Sequence, residues 1–171
     1  MGNFKQYEEA AAKYASGLSI KTAPVFSWDF HQELLKELKD SFLDLNSLMT
    51  ISSKNHWDCK NFDLRARLKE EVVIVTDSQL RIVFASKNIV KMNGYDKKEV
   101  VGKSPKMFQG EKTNQITSKE IRAAIELQQP FEKTVLNYKK NGETYLCLIK
   151  GFPIFDTKGN LSHFIAFEKA A

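Results

Sequence analysis

The chain has 171 residues, and 42% of them are hydrophobic, which is enough to form a folded core and excludes wholesale disorder. Its 26 basic and 21 acidic side chains leave a net charge of +5 without any run of five or six like charges, so no nucleic-acid-binding arm is indicated. No apolar stretch approaches the roughly 18 residues that cross a bilayer, and no signal sequence opens the chain, so we expect a cytoplasmic protein with neither a membrane nor a nucleic-acid partner.

The chain is predicted to begin with a helical extension over residues 1–70. Residues 4–16 are rich in alanine and glutamate and are typical of a helix, which Gly17 ends. Its apolar stripe is formed by Phe4, Tyr7, Ala11 and Tyr14.

A second helix is predicted from about Phe30 to Met49, with Ser27 or Asp29 as its cap. Apolar residues recur along it at every third or fourth position, as an amphipathic helix requires. Either the same domain or a second copy of the chain could bury this stripe, and the near-heptad spacing favours the second copy. We therefore predict a homodimer through Phe30, Leu34, Leu38, Phe42 and Leu45.

The segment that follows the second helix is predicted to be a break and then a short helix. His56 and Cys59 flank Trp57, but their spacing does not match a metal site, so Trp57 is expected to anchor on the next domain. Asp63 is expected to cap a short helix over Leu64–Lys69.

The hydrophobic period changes at Val72, where β-strands begin. Residues 72–76 and 81–86 are β-branched and apolar, and the four turn residues 77–80 join them into a hairpin. Two short helices are predicted over residues 88–93 and 97–101. A longer helix is then expected to be capped by Thr117 or Ser118 and to reach about Gln128.

Three strands are predicted to complete the chain, over residues 131–139, 143–155 and 161–169. The dipeptide Asn141-Gly142 is the strongest hairpin signal and joins the first two of them. Strands with helices segregated between them predict an α+β domain, in which an antiparallel sheet carries short helices on one face.

In this order the segments resemble the PAS domain from about residue 68 to residue 168. The resemblance implies a PAS fold in residues 71–171, preceded by the helical extension. It is carried by residues 73–77, 81–85, 93–95, 99–103, 137–142 and 153–159.

The stretch Gly102–Gly110 is most similar to the LOV subset of that family, which binds flavin and senses blue light. In that subset the corresponding loop carries a cysteine that bonds to the flavin, and Pro105 stands at its position here. Proline has no thiol, so the resemblance does not extend to adduct photochemistry. Neither Cys59, outside the domain, nor Cys147, on a strand, replaces the missing thiol by sequence position.

The resemblance also marks a set of pocket residues, each of which has an ordinary structural role as its alternative. Lys106 and Arg122 are the expected phosphate-binding residues, and Gln109 and Asn137 keep the residue types of the family. The other two positions differ from the family: Cys147 replaces an asparagine, and Glu168 replaces a glutamine. Because an ionised glutamate cannot donate a hydrogen bond, we expect no bound cofactor, with a non-covalently bound flavin as the alternative.

No paired nucleophile and base, metal-ligand set or phosphate-binding loop occurs, so the chain is not expected to be an enzyme. The resemblance implies a sensory signalling module that acts through protein interaction, as a dimer with a separate output partner. A sensor of a small molecule is the alternative.

Overall fold

The computed structural model describes residues 25–57 and 62–171, with side chains from residue 32 onward. The predicted helix over residues 4–16, Cys59 and the side chain of Phe30 lie outside this range. Chain contacts define two compact units, residues 1–37 and 38–171, so residues 38–70 of the predicted extension belong to the second unit. Every helix in the described residues is too short or too polar to span a bilayer.

Helix α1 (Val25–Lys54) is longer than predicted at both ends. No glycine or proline interrupts these 30 residues, so nothing in the sequence ends the helix at Met49. Leu48 is buried, and Leu45 packs beside it against the hydrophobic core of its own domain. Leu45 was expected to face a second copy, and the domain itself partly covers that side of the helix.

Two aspartates of α1 attach this helix to Lys87. Asp44 Oδ2 accepts a hydrogen bond from the backbone N–H of Lys87 at 2.6 Å, and Asp40 Oδ1 lies 2.6 Å from the Lys87 ammonium. Asp44 is only 3% exposed, and burial raises the pKa of its carboxyl above the usual value. These contacts fix the position of α1 along the edge of the domain.

Trp57 anchors the segment after α1, as predicted. Its side chain is buried, its backbone forms an isolated bridge with Asp156, and its indole N–H donates to His163 Nδ1 at 3.0 Å. Helix α2 (Leu64–Glu70) then begins at the predicted cap, where Asp63 accepts a hydrogen bond from a backbone N–H of the first turn.

The five predicted strands form one antiparallel sheet in the order β2-β1-β5-β4-β3. The last strand, β5, lies in the centre and pairs with β1 on one side and β4 on the other. The strands are β1 (Val72–Asp77), β2 (Ile82–Ala85), β3 (Phe131–Tyr138), β4 (Thr144–Phe155) and β5 (Leu161–Ala170).

Short helices connect β2 to β3. They are α3 (Ile89–Asn93), α4 (Lys97–Val100), a 3-10 turn (Pro105–Phe108) and α5 (Gln115–Glu126). The predicted cap of α5 is wrong: Asn114 caps the helix by accepting from the N–H groups of Ile116 and Thr117. Asparagine is a strong cap, and the threonine and serine that follow are compatible with a first helical turn.

Helices cover both faces of the sheet. On one face, Leu48, Trp57 and Leu68 from the N-terminal segments pack with Val73 and Phe167. On the other face, side chains from α3, α4 and the 3-10 turn pack against β1 and β2, as the PAS resemblance implies; they include Ile89, Val100 and Phe108 beside Val72, Ile74 and Ile82.

Replacing Trp57 by phenylalanine tests the anchor of α1. We expect the free energy of unfolding to fall by at least about 1 kcal/mol, because the buried hydrogen bond to His163 is lost and the smaller ring leaves part of the indole volume unfilled. Urea denaturation at neutral pH measures the change. Lys158→Ala, an exposed position in the adjacent β4–β5 turn, is the control, and an equal midpoint for Trp57→Phe and the native chain would contradict the role of this bond.

Candidate ligand site

Strand register gathers polar side chains inside the domain. Alternation along β4 places Tyr145 and Cys147 on the same face of the sheet, and cross-strand pairing sets Asn137 opposite Tyr145. Glu168 of β5 lies on the same face, opposite Ile149. With Asn93 at the end of α3, these residues form what we call the polar cluster: Asn93, Asn137, Tyr145, Cys147 and Glu168.

Glu168 is the most unusual member of the polar cluster, because its carboxyl is buried without a basic partner. The residue is 4% exposed, and the Cys147 thiol donates to its Oε2 at 3.7 Å. Burial raises the pKa of Glu168 to about 7. Near neutral pH a large fraction of the protein therefore carries a protonated Glu168, which can donate a hydrogen bond as glutamine does.

The sequence analysis considered Glu168 as an ionised acceptor, and the raised pKa adds a protonated form that donates. Cys147 is fully buried, and burial together with Glu168 raises the pKa of its thiol. A thiol of raised pKa is a neutral side chain and a weak nucleophile. The two residues therefore act as a buried hydrogen-bonded pair.

Two buried atoms of the polar cluster, the hydroxyl of Tyr145 and Nδ2 of Asn93, form no well-aligned hydrogen bond in the described residues, although the side chains of Asn93 and Asn137 are close enough to interact with the Tyr145 hydroxyl. Asn93 uses its other side-chain atom, since Oδ1 accepts from the N–H of Tyr95 at 3.1 Å. Burial also raises the pKa of Tyr145, so its hydroxyl stays protonated. A buried polar group without a hydrogen bond costs about 1–3 kcal/mol, so these two atoms are candidates for contact with a polar molecule or water.

Three of the predicted pocket residues meet in the polar cluster and three do not. Asn137, Cys147 and Glu168 are all buried there. Lys106 is exposed on the 3-10 turn, and Gln109 is half-buried at its end. Arg122 is also exposed and pairs with Glu126 of its own helix at 2.9 Å, so the expected phosphate contacts are surface charges here.

Tyr145 and Asn93 were not predicted as site residues. Tyr145 could have been found from the sequence, because the Asn-Gly hairpin sets it opposite Asn137 and strand alternation sets it beside Cys147. Asn93 could not, because its burial depends on how α3 packs against the sheet.

The stretch from Gly102 to Gly110 has a structural role as part of the connection between α4 and α5. Gly102 has a positive φ of 84°, and its N–H bonds the carbonyl of Ile82 at 2.7 Å. A Cβ at Gly110 would lie 2.5 Å from the ring of Tyr138, so only glycine fits. Phe108 between them is 2% exposed and contacts the ring of Tyr95.

The fold and the polar cluster together define an α+β domain, in which a sheet and short helices surround a polar interior. The sequence profile of the PAS domain matches residues 70–169, more than half of the chain. The chain belongs to the PAS domain family. In the described residues no group of three His, Cys, Asp or Glu side chains is placed to hold a metal ion.

Similar proteins occur in a plant and in bacteria. Protein TWIN LOV 1 of Arabidopsis thaliana is 40% identical over 88 residues, which are 51% of this chain and 22% of that protein. A blue-light-activated histidine kinase of Brucella abortus (strain 2308) is 33% identical over 87 residues, which are 51% of this chain and 18% of that protein. The chain thus covers about a fifth of the length of these relatives.

Solved structures share the fold at lower sequence identity. The light-state structure of the blue-light photoreceptor Aureochrome1 LOV superposes with a TM-score of 0.58 at 24% identity, covering 65% of this chain and 89% of that one. The LOV domain of the Erythrobacter litoralis EL346 blue-light-activated histidine kinase gives a TM-score of 0.56 at 22% identity, covering 58% and 94%.

Glu168→Gln tests the buried acid. Because the folded-state pKa is raised above the ordinary glutamate value of 4.5, the folded state binds more protons, and Glu168 destabilises the fold progressively as pH rises from 4.5 to about 7. We expect glutamine to raise the free energy of unfolding by roughly 3 kcal/mol at most at pH 8, and by much less at pH 5.

Urea denaturation of the native chain and the variant across this pH range measures the difference. The matched control is Glu111→Gln, an exposed position. A difference between the native chain and Glu168→Gln that does not change with pH would show that Glu168 keeps an ordinary pKa.

Proposed function

We propose that the chain is a sensory signalling module that acts through protein interaction, as a homodimer whose output passes to a separate protein. The observation that carries the proposal is an apolar strip on one flank of α1. Its four residues are between 49% and 65% exposed, although leucine, methionine and phenylalanine are usually buried. We call these residues, Leu35, Leu38, Phe42 and Met49, the apolar strip.

The spacing of the apolar strip favours a helix as its partner. Its residues are separated by three, four and seven positions, the repeat that places side chains along the seam of a coiled coil. Leu45 would complete the repeat but packs partly against its own domain, so the strip borders the covered face of α1. Exposed apolar surface of this kind marks an interaction site, and a second copy brings an identical strip.

The proposed output does not use a flavin adduct. Pro105 carries no thiol, and Cys147 is a buried neutral side chain on a strand. The names of the similar proteins refer to blue light and to histidine kinases, but the described residues of this chain contain no metal-binding group and no reactive thiol that would support catalysis. We therefore propose a non-enzymatic module.

The double variant Leu38→Asp and Phe42→Asp tests the dimer. Placing charges in a coiled-coil seam opposes association, so we expect light scattering to show the mass of one chain instead of two. The control is Ile116→Asp with Leu127→Asp, which changes two equally exposed apolar residues on and beside α5. A dimer that persists in the α1 variant would contradict the proposed interface.

A second candidate function is a sensor of a small polar molecule held without a covalent bond. The Tyr145 hydroxyl and Asn93 Nδ2 support it, because neither forms a well-aligned hydrogen bond within the described residues and a polar ligand would bond to both. The residues present do not fit a flavin adduct. They do fit a non-covalent ligand with hydrogen-bond donors and acceptors, since Asn137, Tyr145 and a protonated Glu168 offer both.

For this second function we expect the purified protein to release a small molecule on denaturation, detected by mass spectrometry. Tyr145→Phe removes one contact and should lower the released amount several-fold, whereas Tyr138→Phe, on the same sheet, should not. An absorption spectrum before and after blue illumination should be unchanged, because no adduct forms at Pro105. A native chain that releases nothing would argue against this function.

A further inference from the structure

An open groove of about 600 Å³ runs along the flank of α1 that faces away from the apolar strip. We call it the α1–α4 groove. Ser47, Thr50 and Ile51 form one side, and Lys97, Lys98 and Val101 form the other. Between the two sides lie residues 83–85 of β2, so three elements meet there.

The α1–α4 groove lies beside the edge of the sheet. In the described part of the chain, β2 pairs with β1 alone. Gly102 and Lys103 cover the start of this edge through backbone hydrogen bonds to Ile82, at 2.7 Å and 2.8 Å. The rest of the strand borders the groove, and a strand edge next to an apolar groove is a common place for a protein to bind a segment of another chain.

The two charged residues that line the α1–α4 groove, Lys97 and Lys98, are both basic. Lys97 is partly neutralised within the domain, since its ammonium lies 3.6 Å from Asp44 Oδ1, which accepts no hydrogen bond. Lys98 is exposed, and none of the ion pairs among the described residues involves it. Apolar walls with a cationic rim are complementary to a segment that carries both apolar side chains and carboxylates.

The groove and the apolar strip lie on different flanks of α1. At 3.6 residues per turn, the side chains of Ser47 and Ile51 point about 160° away from that of Met49. The side chain of Thr50 points about 100° away from it. A homodimer through the strip therefore leaves the groove free. A second copy is a poor occupant, because its own matching surface is already used in the seam.

We propose that the α1–α4 groove binds a short acidic and apolar segment of a partner protein. The proposal rests on the proposed function, in which output passes to a separate protein. The partner would bind on a flank of α1 that the dimer seam leaves free. The same helix would then hold the two copies together and bind the partner.

Selection of peptides from a random display library on the full-length chain tests the proposal. We expect the enriched peptides to combine aliphatic or aromatic residues with an excess of Asp and Glu. The best peptide, labelled with fluorescein, should bind in the micromolar range by fluorescence anisotropy.

The variant Lys98→Glu with Val101→Asp should weaken this binding about tenfold or more, because it reverses the rim charge and places a carboxylate on the apolar wall. Both positions are exposed, so circular dichroism should show an unchanged fold. The matched control is Lys158→Glu with Ile116→Asp, which makes the same types of change elsewhere on the surface and should leave the affinity unchanged.

No enriched peptide, enrichment without excess negative charge, or equal weakening in the control would overturn the proposal. The dimer and the groove are tested separately. Leu38→Asp with Phe42→Asp should give a single chain that still binds the peptide. If the native chain is itself monomeric yet binds the peptide at the groove, the proposed dimer fails while the docking site stands.

Discussion

The pairing of β5 with both of its neighbours is the constraint on which the rest of the structure depends. β5 is last in the chain but central in the sheet, so it holds β1 against β4. Its register also sets the two interiors, since Phe167 enters the core under α2 while Glu168, one residue later, enters the polar cluster. A slip of one residue would exchange them, which would put the acid into an apolar core and is strongly disfavoured.

α1 is tied to the domain by one face and remains open on two others. Leu48 and Leu45 on the first face pack against the core. Asp40 and Asp44 contact Lys87 and so fix the position of α1 along the domain. Burial of apolar area supplies most of the attachment, and the polar contacts select one position. The helix can therefore carry exposed apolar residues such as Phe42 without losing its place.

The fold could largely be predicted from the sequence, because strand alternation, the Asn141-Gly142 turn and Asp caps are local signals. The site could be predicted only in part. The resemblance marked Cys147 and Glu168, but the protonation of Glu168 depends on desolvation by the assembled core. Likewise, periodicity could not divide the α1 stripe into a covered part, with Leu45, and an exposed part, with Leu38, because that depends on how the helix is rotated against the sheet.

The attachment of α1 at Lys87 has a mechanical consequence. Lys87 lies just before α3, and Asn93 at the other end of that short helix belongs to the polar cluster. A rotation or shift of α3 has either to move α1 as well or to break its contacts with Asp40 and Asp44. The two faces of the sheet are thus linked around the β2 edge by Lys87 and the short helix α3. A movement of α3 can therefore reach α1 without passing through the packed strands.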